Sequence, residues 1–286
     1  MSILNIIRIL AIVLCIGVLI WFLYKHQEEK LNFIEKAKIA FIGLIANFFD
    51  TLGIGSFAII VALRSMLNVM PDDVRLIGTM NIQAMVTALF QTLIFLHFFQ
   101  IDITTLVVCI IMISLGGYVS GLIATHIKAR TVHFVMLIAF IITGGLLFLS
   151  QMNLFPIHDT GNAITGIRLA LFAIFMFISG MLPAFGVGYY SLVRTSMFLF
   201  GVNPVIGFPI MSCASSFQMP VTSTVFINKK KFYFKSTILL AVFGSVGVFI
   251  AAPIINMLDS HTLKWWLLIV VIYNIIALSR SYKTAK

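Results

Sequence analysis

Two glycine-rich breaks interrupt long apolar runs of this sequence. One is Asp50-Thr51-Leu52-Gly53-Ile54-Gly55-Ser56 and the other is Leu182-Pro183-Ala184-Phe185-Gly186-Val187-Gly188-Tyr189. Glycine adopts dihedrals that other residues avoid. A helix restarting after Gly55 or Gly188 presents free N–H groups and the positive end of its dipole, which is the chemistry of an anion site. Asp50 can cap the restarted helix or carry a coupling proton or cation. Arg194 follows Gly188 by six residues, about 9 Å along a helix, and its guanidinium fork suits a planar or tetrahedral anion. It can equally pair with Asp50 or an interior carbonyl. Both glycine pairs also fit the close helix packing that small residues allow in membranes.

A second polar feature follows each break. Thr79, Gln83, Thr87 and Gln91 recur every four residues and share a stripe on a helix. The corresponding positions further along are Ser212, Ser216, Pro220 and Thr224, with Asn81, Ser215 and Gln218 nearby. Hydroxyls and amides can hydrogen-bond an oxyanion while losing less solvation than a charge would. They can also bond one span to the next. Arg64, close to Pro71, reads as a side chain that snorkels to the interface.

Other chemistries find no support. His97, His126, His133, His158 and His261 fall at or near the ends of apolar runs, and His26 lies in a charged linker. Cys15, Cys109 and Cys213 are far apart inside apolar runs and read as packing residues. There is no HExxH, GxSxG or GxxxxGK[ST], and no acidic pair inside an apolar run. An enzyme, a metal site and a cofactor are therefore not expected.

The elements that hold these residues are dictated by composition. Of 286 residues, 61% are apolar and 10% are Asp, Glu, Lys or Arg, and the mean hydropathy is +1.11. An ordinary soluble domain carries about a quarter charged residues, so a soluble globule and a disordered chain are both excluded. The charge of +10 lies between apolar runs, where the positive-inside rule accounts for it without nucleic acid. The run Ile3–Tyr24 ends in Trp21, Tyr24 and Lys25, the pattern of an uncleaved anchor with its N-terminus outside. Further runs cover 39–69, 74–99, 103–125, 132–150, 167–200, 205–227, 236–257 and 263–279. Trp265, Trp266 and Tyr273 read as interface anchors and packing.

Those eight runs form two sets of four, separated by the polar stretch Gln151–Thr165. An offset of 133 places Gly53 and Gly55 on Gly186 and Gly188, and Pro71 on Pro204. Internal duplication is the expected reading, as in many secondary transporters. The first run of each set is long: residues 39–69 would make roughly 46 Å of helix against a hydrocarbon thickness of about 30 Å. The helix is either broken and crosses once, or is a re-entrant hairpin. With Arg8, Arg64 and Arg194 set aside, nine spans put 12 basic residues inside and 4 outside; seven spans with two hairpins put 14 inside and 2 outside. Repeats would be parallel in the first case and inverted in the second, and the two-residue margin leaves both open. Either way the C-terminus is expected in the cytoplasm.

These motifs resemble the TauE/SafE sulfite exporter family. The resemblance rests on Gly53-Ile54-Gly55 with Met70-Pro71 and Gly78-Thr79, and on Gly186-Val187-Gly188 with Gly201-Val202-Asn203-Pro204. It covers roughly residues 37–286. Where the family often carries a third glycine, this chain has Ser56 and Tyr189, and Ser212 replaces a threonine. The resemblance implies transport of small sulfur oxyanions such as sulfite or an organosulfonate, often outward.

The expected architecture is an all-α polytopic protein. It comprises an anchor and charged linker over 1–36 and two similar four-segment repeats over 37–160 and 161–286. The expected function is a permease of the plasma membrane working by alternating access, with an anion channel or a non-transporting subunit as alternatives. The anion would sit near the midplane against Gly53, Gly55, Ser56, Thr79, Gln83, Gly186, Gly188, Tyr189, Arg194, Ser212 and Ser216. Asp50 would hold a coupling proton or cation. The expected partners are the small anion and the bilayer. Oligomeric state, direction of transport and coupling ion are not legible in the sequence.

Overall fold

The structure, a computed structural model, describes residues 2–98, 101–124, 163–190 and 206–257, with isolated positions between 134 and 152, 193 and 200, and 265 and 279. Eight α-helices and no strand occur among the described residues: α1 (Ile3–Tyr24), α2 (Phe33–Thr51), α3 (Ser56–Leu67), α4 (Asp73–Phe98), α5 (Ile103–Ala124), α6 (Gly166–Met181), α7 (Gly207–Asn228) and α8 (Phe234–Ala251). A 3-10 turn, Leu182–Phe185, continues α6, and a second one, Ala252–Met257, continues α8. Five helical segments among the described residues are long and apolar enough to cross a membrane. The chain is an all-α polytopic membrane protein.

Local signals set the helix ends. Ser2 caps α1. Asn32 and Glu35 form a reciprocal capping box at the start of α2, with bonds of 2.8 and 2.9 Å. Helix α1 buries one stripe, Ile7, Ala11, Cys15, Val18 and Phe22, at the three- and four-residue spacing of a single helical face. Its other faces expose Ile6, Leu10, Val13 and Ile20, as a lipid-facing helix should. The buried stripe rests on α4 and α7; the Cys15 thiol points to the Ser216 carbonyl at 3.3 Å.

The long run over 39–69 is a re-entrant hairpin. The Lys38 ammonium, near the start of α2, donates to the carbonyl of Leu67 at the end of α3, at 3.0 Å. In one continuous helix those positions would stand about 43 Å apart, far beyond a lysine's reach. The chain therefore reverses at Leu52–Gly55 and returns to the side it left. The second long run reverses too: the Phe200 ring lies 5.1 Å from that of Phe172, in the second turn of α6. The charge count is cleaner for the hairpin by only two residues and leaves both open; the packed ends decide for the hairpin.

The hairpins open on opposite faces. On the first face, the ends of α1, α3 and α7 meet the starts of α2, α4 and α8. There Phe22 stacks on Phe234 at 4.9 Å, the Arg75 guanidinium donates to the Phe232 carbonyl at 3.0 and 3.1 Å, and Tyr233 N–H donates to Thr79 at 2.8 Å. Glu29, in the α1–α2 linker, accepts the N–H groups of Lys235 and Ser236 at the start of α8, at 2.6 and 3.1 Å. On the second face, Arg8 donates to the Leu96 carbonyl at 2.6 Å, and Thr105 accepts the Ile164 N–H at 3.1 Å just before α6. Packing in the interior is reciprocal: α2 lies along α8, α6 along α5, and α4 faces α7 between them.

Arg64 does not snorkel freely. It donates to the Met70 and Pro71 carbonyls at 2.8 and 3.2 Å and forms an ion pair with Asp73, so it staples the α3–α4 turn.

Candidate functional site

The two helix breaks share one backbone solution. Gly53 N–H donates to Asp50 O at 2.8 Å and Ile54 N–H to Phe49 O at 3.0 Å. In the second break Gly186 N–H donates to Pro183 O at 3.0 Å and Val187 N–H to Leu182 O at 3.2 Å. Each is a Schellman-type helix end with glycine at the left-handed position, φ 89° at Gly53 and 79° at Gly186. A side chain there would be strained in any surroundings. Asn81 of α4 reaches across to the Pro183 carbonyl at 2.8 Å and fixes the second break against the first half.

The two tips meet. A Cβ on Gly188 would lie 3.4 Å from Cβ of Phe57, an ordinary contact distance, so the two tips stand within van der Waals reach of each other. Between them lies a cavity of about 10 Å³, lined by Asp50, Gly55, Ser56, Phe57, Ala84, Ala88, Gly188, Tyr189, Tyr190, Ser215 and Met219. That volume holds about one water molecule.

Asp50 organises the first tip. Its carboxylate accepts the Ser56 N–H at 2.5 Å, at the first turn of α3, and the Gln91 side-chain N–H at 2.9 Å. Gln91 also donates to Thr51 at 3.1 Å and accepts the Tyr190 hydroxyl at 3.1 Å. The buried carboxylate therefore occupies the positive end of α3, where the sequence reading placed a substrate anion. The second tip has no such cap. Pro183 stands where Asp50 stands in the first break, and no Asp or Glu occurs between Asp159 and Asp259. The Tyr189 and Ser215 hydroxyls are hydrogen-bonded to each other at the cavity wall.

Of the expected site residues, Gly55, Ser56, Gly188 and Tyr189 line the cavity beside Asp50, while Gly53 and Gly186 shape the turns behind it. The structure does not bring Thr79, Gln83, Ser212 or Ser216 to the cavity lining. Thr79 holds the α7–α8 turn, and Gln83 accepts from Asn47 of α2 at 3.0 Å. The hydroxyls of Ser212 and Ser216 donate to the carbonyls of Pro209 and Cys213 in their own helix, at 3.2 and 2.8 Å. The reason is the helical repeat: residues four apart advance about 400°, so each step drifts some 40° around the helix. From Thr79 to Gln91 the stripe winds about 120° and climbs about 18 Å. Only Gln91 arrives at the tip. Tyr190 went unnoticed in the sequence; a second tyrosine directly after a glycine break was the available signal.

Arg194, Pro204, His126, His133, His158, His261, Trp266 and Tyr273 lie outside the described residues. Among the described residues no group of three or more His, Cys, Asp or Glu could hold a metal ion.

Opposed broken hairpins meeting at a buried polar centre make the frame of a secondary transporter. The family comparison agrees: the model of the Sulfite exporter TauE/SafE family matches residues 2–147. The chain belongs to that family, whose members are membrane permeases of sulfite-type anions. The match takes in α1, which the sequence reading set outside the resemblance. Comparison with curated proteins and with solved structures finds no match.

Proposed function

We propose that the chain carries a small sulfur oxyanion, sulfite or an organosulfonate, by alternating access through the cavity between its two hairpin tips. The observation that carries this reading is the asymmetric pair of tips. The positive end of α3 is neutralised by Asp50, whereas the second tip contains no carboxylate and is followed by Arg194. The anion would then sit on the Gly188–Tyr189 side, with Tyr190 and Ser215 as neutral donors and Arg194 as the cation. Asp50 lines the same cavity, so an incoming anion meets a carboxylate unless that group is neutralised. A proton on Asp50 would therefore accompany the anion. A cavity of about 10 Å³ leaves no continuous aqueous path between the tips, which favours a carrier over a channel.

The two sets of helices would be inverted copies, 37–160 and 161–286, rocking about the α4–α7 contact. Lys25, Lys30, Lys36, Lys38, Lys229, Lys230, Lys231 and Lys235 gather on the first face, against Arg8 and Arg168 on the second. The positive-inside rule makes the first face cytoplasmic, with the C-terminus on the same side and the plasma membrane as the location.

The test is thermal unfolding of purified protein against sulfite, an organosulfonate, thiosulfate, acetate and chloride at fixed ionic strength. A ligand at 100 times its Kd stabilises by about 2.7 kcal/mol. A shift confined to sulfur oxyanions and lost in Arg194→Gln supports the reading. A flat panel on folded protein removes the substrate class.

A further inference from the structure

A groove of about 430 Å³ opens between α1 and α8, with α4 as its floor. Leu19 and Leu23 of α1, Val86 and Phe90 of α4, and Ala241 and Val242 of α8 form its walls. The hydroxyls in the lining, on Thr237 and Ser245, are turned into their own helix: they donate to the carbonyls of Tyr233 and Ala241 at 2.5 and 2.7 Å. With its hydroxyls already satisfied, the groove has no use for water or a polar ligand, and an apolar space of this kind stays dry. From Thr237 to Ser245 it runs about 12 Å along α8, close to the depth of one leaflet of a hydrocarbon core about 30 Å thick.

The rim carries the opposite chemistry. Lys25 lies two residues beyond Leu23 at the end of α1, and Lys235 lies two residues before Thr237 at the start of α8. Both stand on the first face, joined there by the packing of Phe22 and His26 on Phe234 at 4.9 and 4.5 Å. Of the two linker carboxylates, Glu28 is exposed, while Glu29 is engaged by the Lys235 and Ser236 N–H groups and the Ser236 hydroxyl. Glu29 thereby fills the positive end of α8 through backbone and hydroxyl donors, and none of these bonds uses the Lys25 or Lys235 ammonium.

We propose that this groove is a binding site for an anionic glycerophospholipid, with one acyl chain along α8 and the phosphate between Lys25 and Lys235. The site stands apart from the hairpin tips and does not rest on the transport reading. A lipid in it bridges α1 to α8 and presses on the face of α4 next to the one that carries Gln83 and Gln91.

Native mass spectrometry of the full chain, mixed with phosphatidylglycerol or phosphatidylcholine of matched chain length, tests this. Retention of phosphatidylglycerol over phosphatidylcholine is the expected result. A cation near an anionic headgroup contributes about fivefold in affinity, so Lys25→Gln with Lys235→Gln should lower retention about thirty-fold. The control pair Lys36→Gln with Lys229→Gln should leave it unchanged. Val242→Trp, at an exposed wall position, should displace either lipid. Equal retention of the two lipids, or an equal loss in the control pair, overturns the proposal. So does a dimer mass abolished by Val242→Trp, which would make a second copy the occupant.

Discussion

Replacing Asp50 by asparagine separates the two jobs assigned to that carboxylate. As a cap, Asp50 receives the Ser56 N–H and the Gln91 side chain at 2.5 and 2.9 Å. Asparagine can keep the first bond through its oxygen, but its amide would face the Gln91 amide donor to donor. Gln91 must then turn over, and the Tyr190 hydroxyl, which now donates to it at 3.1 Å, becomes the acceptor. Thr51, which now accepts from Gln91 and donates to the Asn47 carbonyl at 2.7 Å, must turn its hydroxyl to the Gln91 oxygen instead; with two charge-assisted bonds made neutral, the loss is about 2 kcal/mol. The Tm should therefore fall by only a few degrees. As a coupling group, Asp50 repels the anion: two unit charges about 5 Å apart interact by about 3 kcal/mol at an effective dielectric near 20. Removing one should tighten anion binding on the order of a hundredfold.

The sign of the pH dependence follows. If the native protein binds the anion together with a proton, affinity weakens as pH rises through the titration of Asp50, by about tenfold per pH unit at the limit. In Asp50→Asn the affinity should be high and flat. The assay is an organosulfonate titration followed by thermal shift at several pH values, since that ligand keeps one charge throughout. Counterflow in proteoliposomes gives a second readout. A variant that keeps the native pH slope refutes the coupling role, and one that loses binding altogether refutes the repulsion argument.

Three further outcomes are expected. Single cysteines replacing Lys36 and Asn68, at the two feet of the first hairpin, should react with an impermeant thiol reagent from the same side of the membrane; opposite sides would mean that α2 and α3 cross. Gly188→Ala should fold, because its Cβ would meet Phe57 at an ordinary 3.4 Å. Counterflow should nevertheless drop several-fold if the tips slide past each other during transport, and unchanged counterflow would count against that movement. Gly78→Ala should unfold the protein or lower its Tm strongly, because the new Cβ would fall 1.9 Å from the Lys231 carbonyl; a native Tm would show that the α7–α8 turn does not press on α4.

Much of this architecture is legible in the residues, because a bilayer demands long apolar runs and satisfied backbone. The offset of 133 found both breaks, and the Schellman bonds recur at that same offset, from Asp50 to Pro183 and from Phe49 to Leu182. The choice between crossing and hairpin was not legible, since it turned on two basic residues in a charge count. It is settled instead by contacts between segment ends, Lys38 with Leu67 and Phe172 with Phe200. The polar stripe divides among neighbours for a simpler reason. A four-residue spacing shares a face only over short stretches, and over twelve residues it passes from the start of α8 at Thr79 to α2 at Gln83 and Gln91. Gln91 was marked as polar, but its partnership with Asp50 joins positions 41 residues apart that no local pattern connects.

The two tips share one backbone turn, yet their chemistry differs. Both tips end their first helix with the same glycine turn, so the backbone alone would offer two equivalent positive ends to a substrate. One carboxylate removes that equivalence. By satisfying the start of α3, Asp50 converts the first tip from an anion receptor into a polar wall, and the lack of any Asp or Glu from 160 to 258 leaves the second tip unopposed within its own half. An anion held there would bind the second half strongly and the first only through neutral groups and a titratable one. On the proposed reading, the second hairpin would grip the substrate and the first would sense protonation.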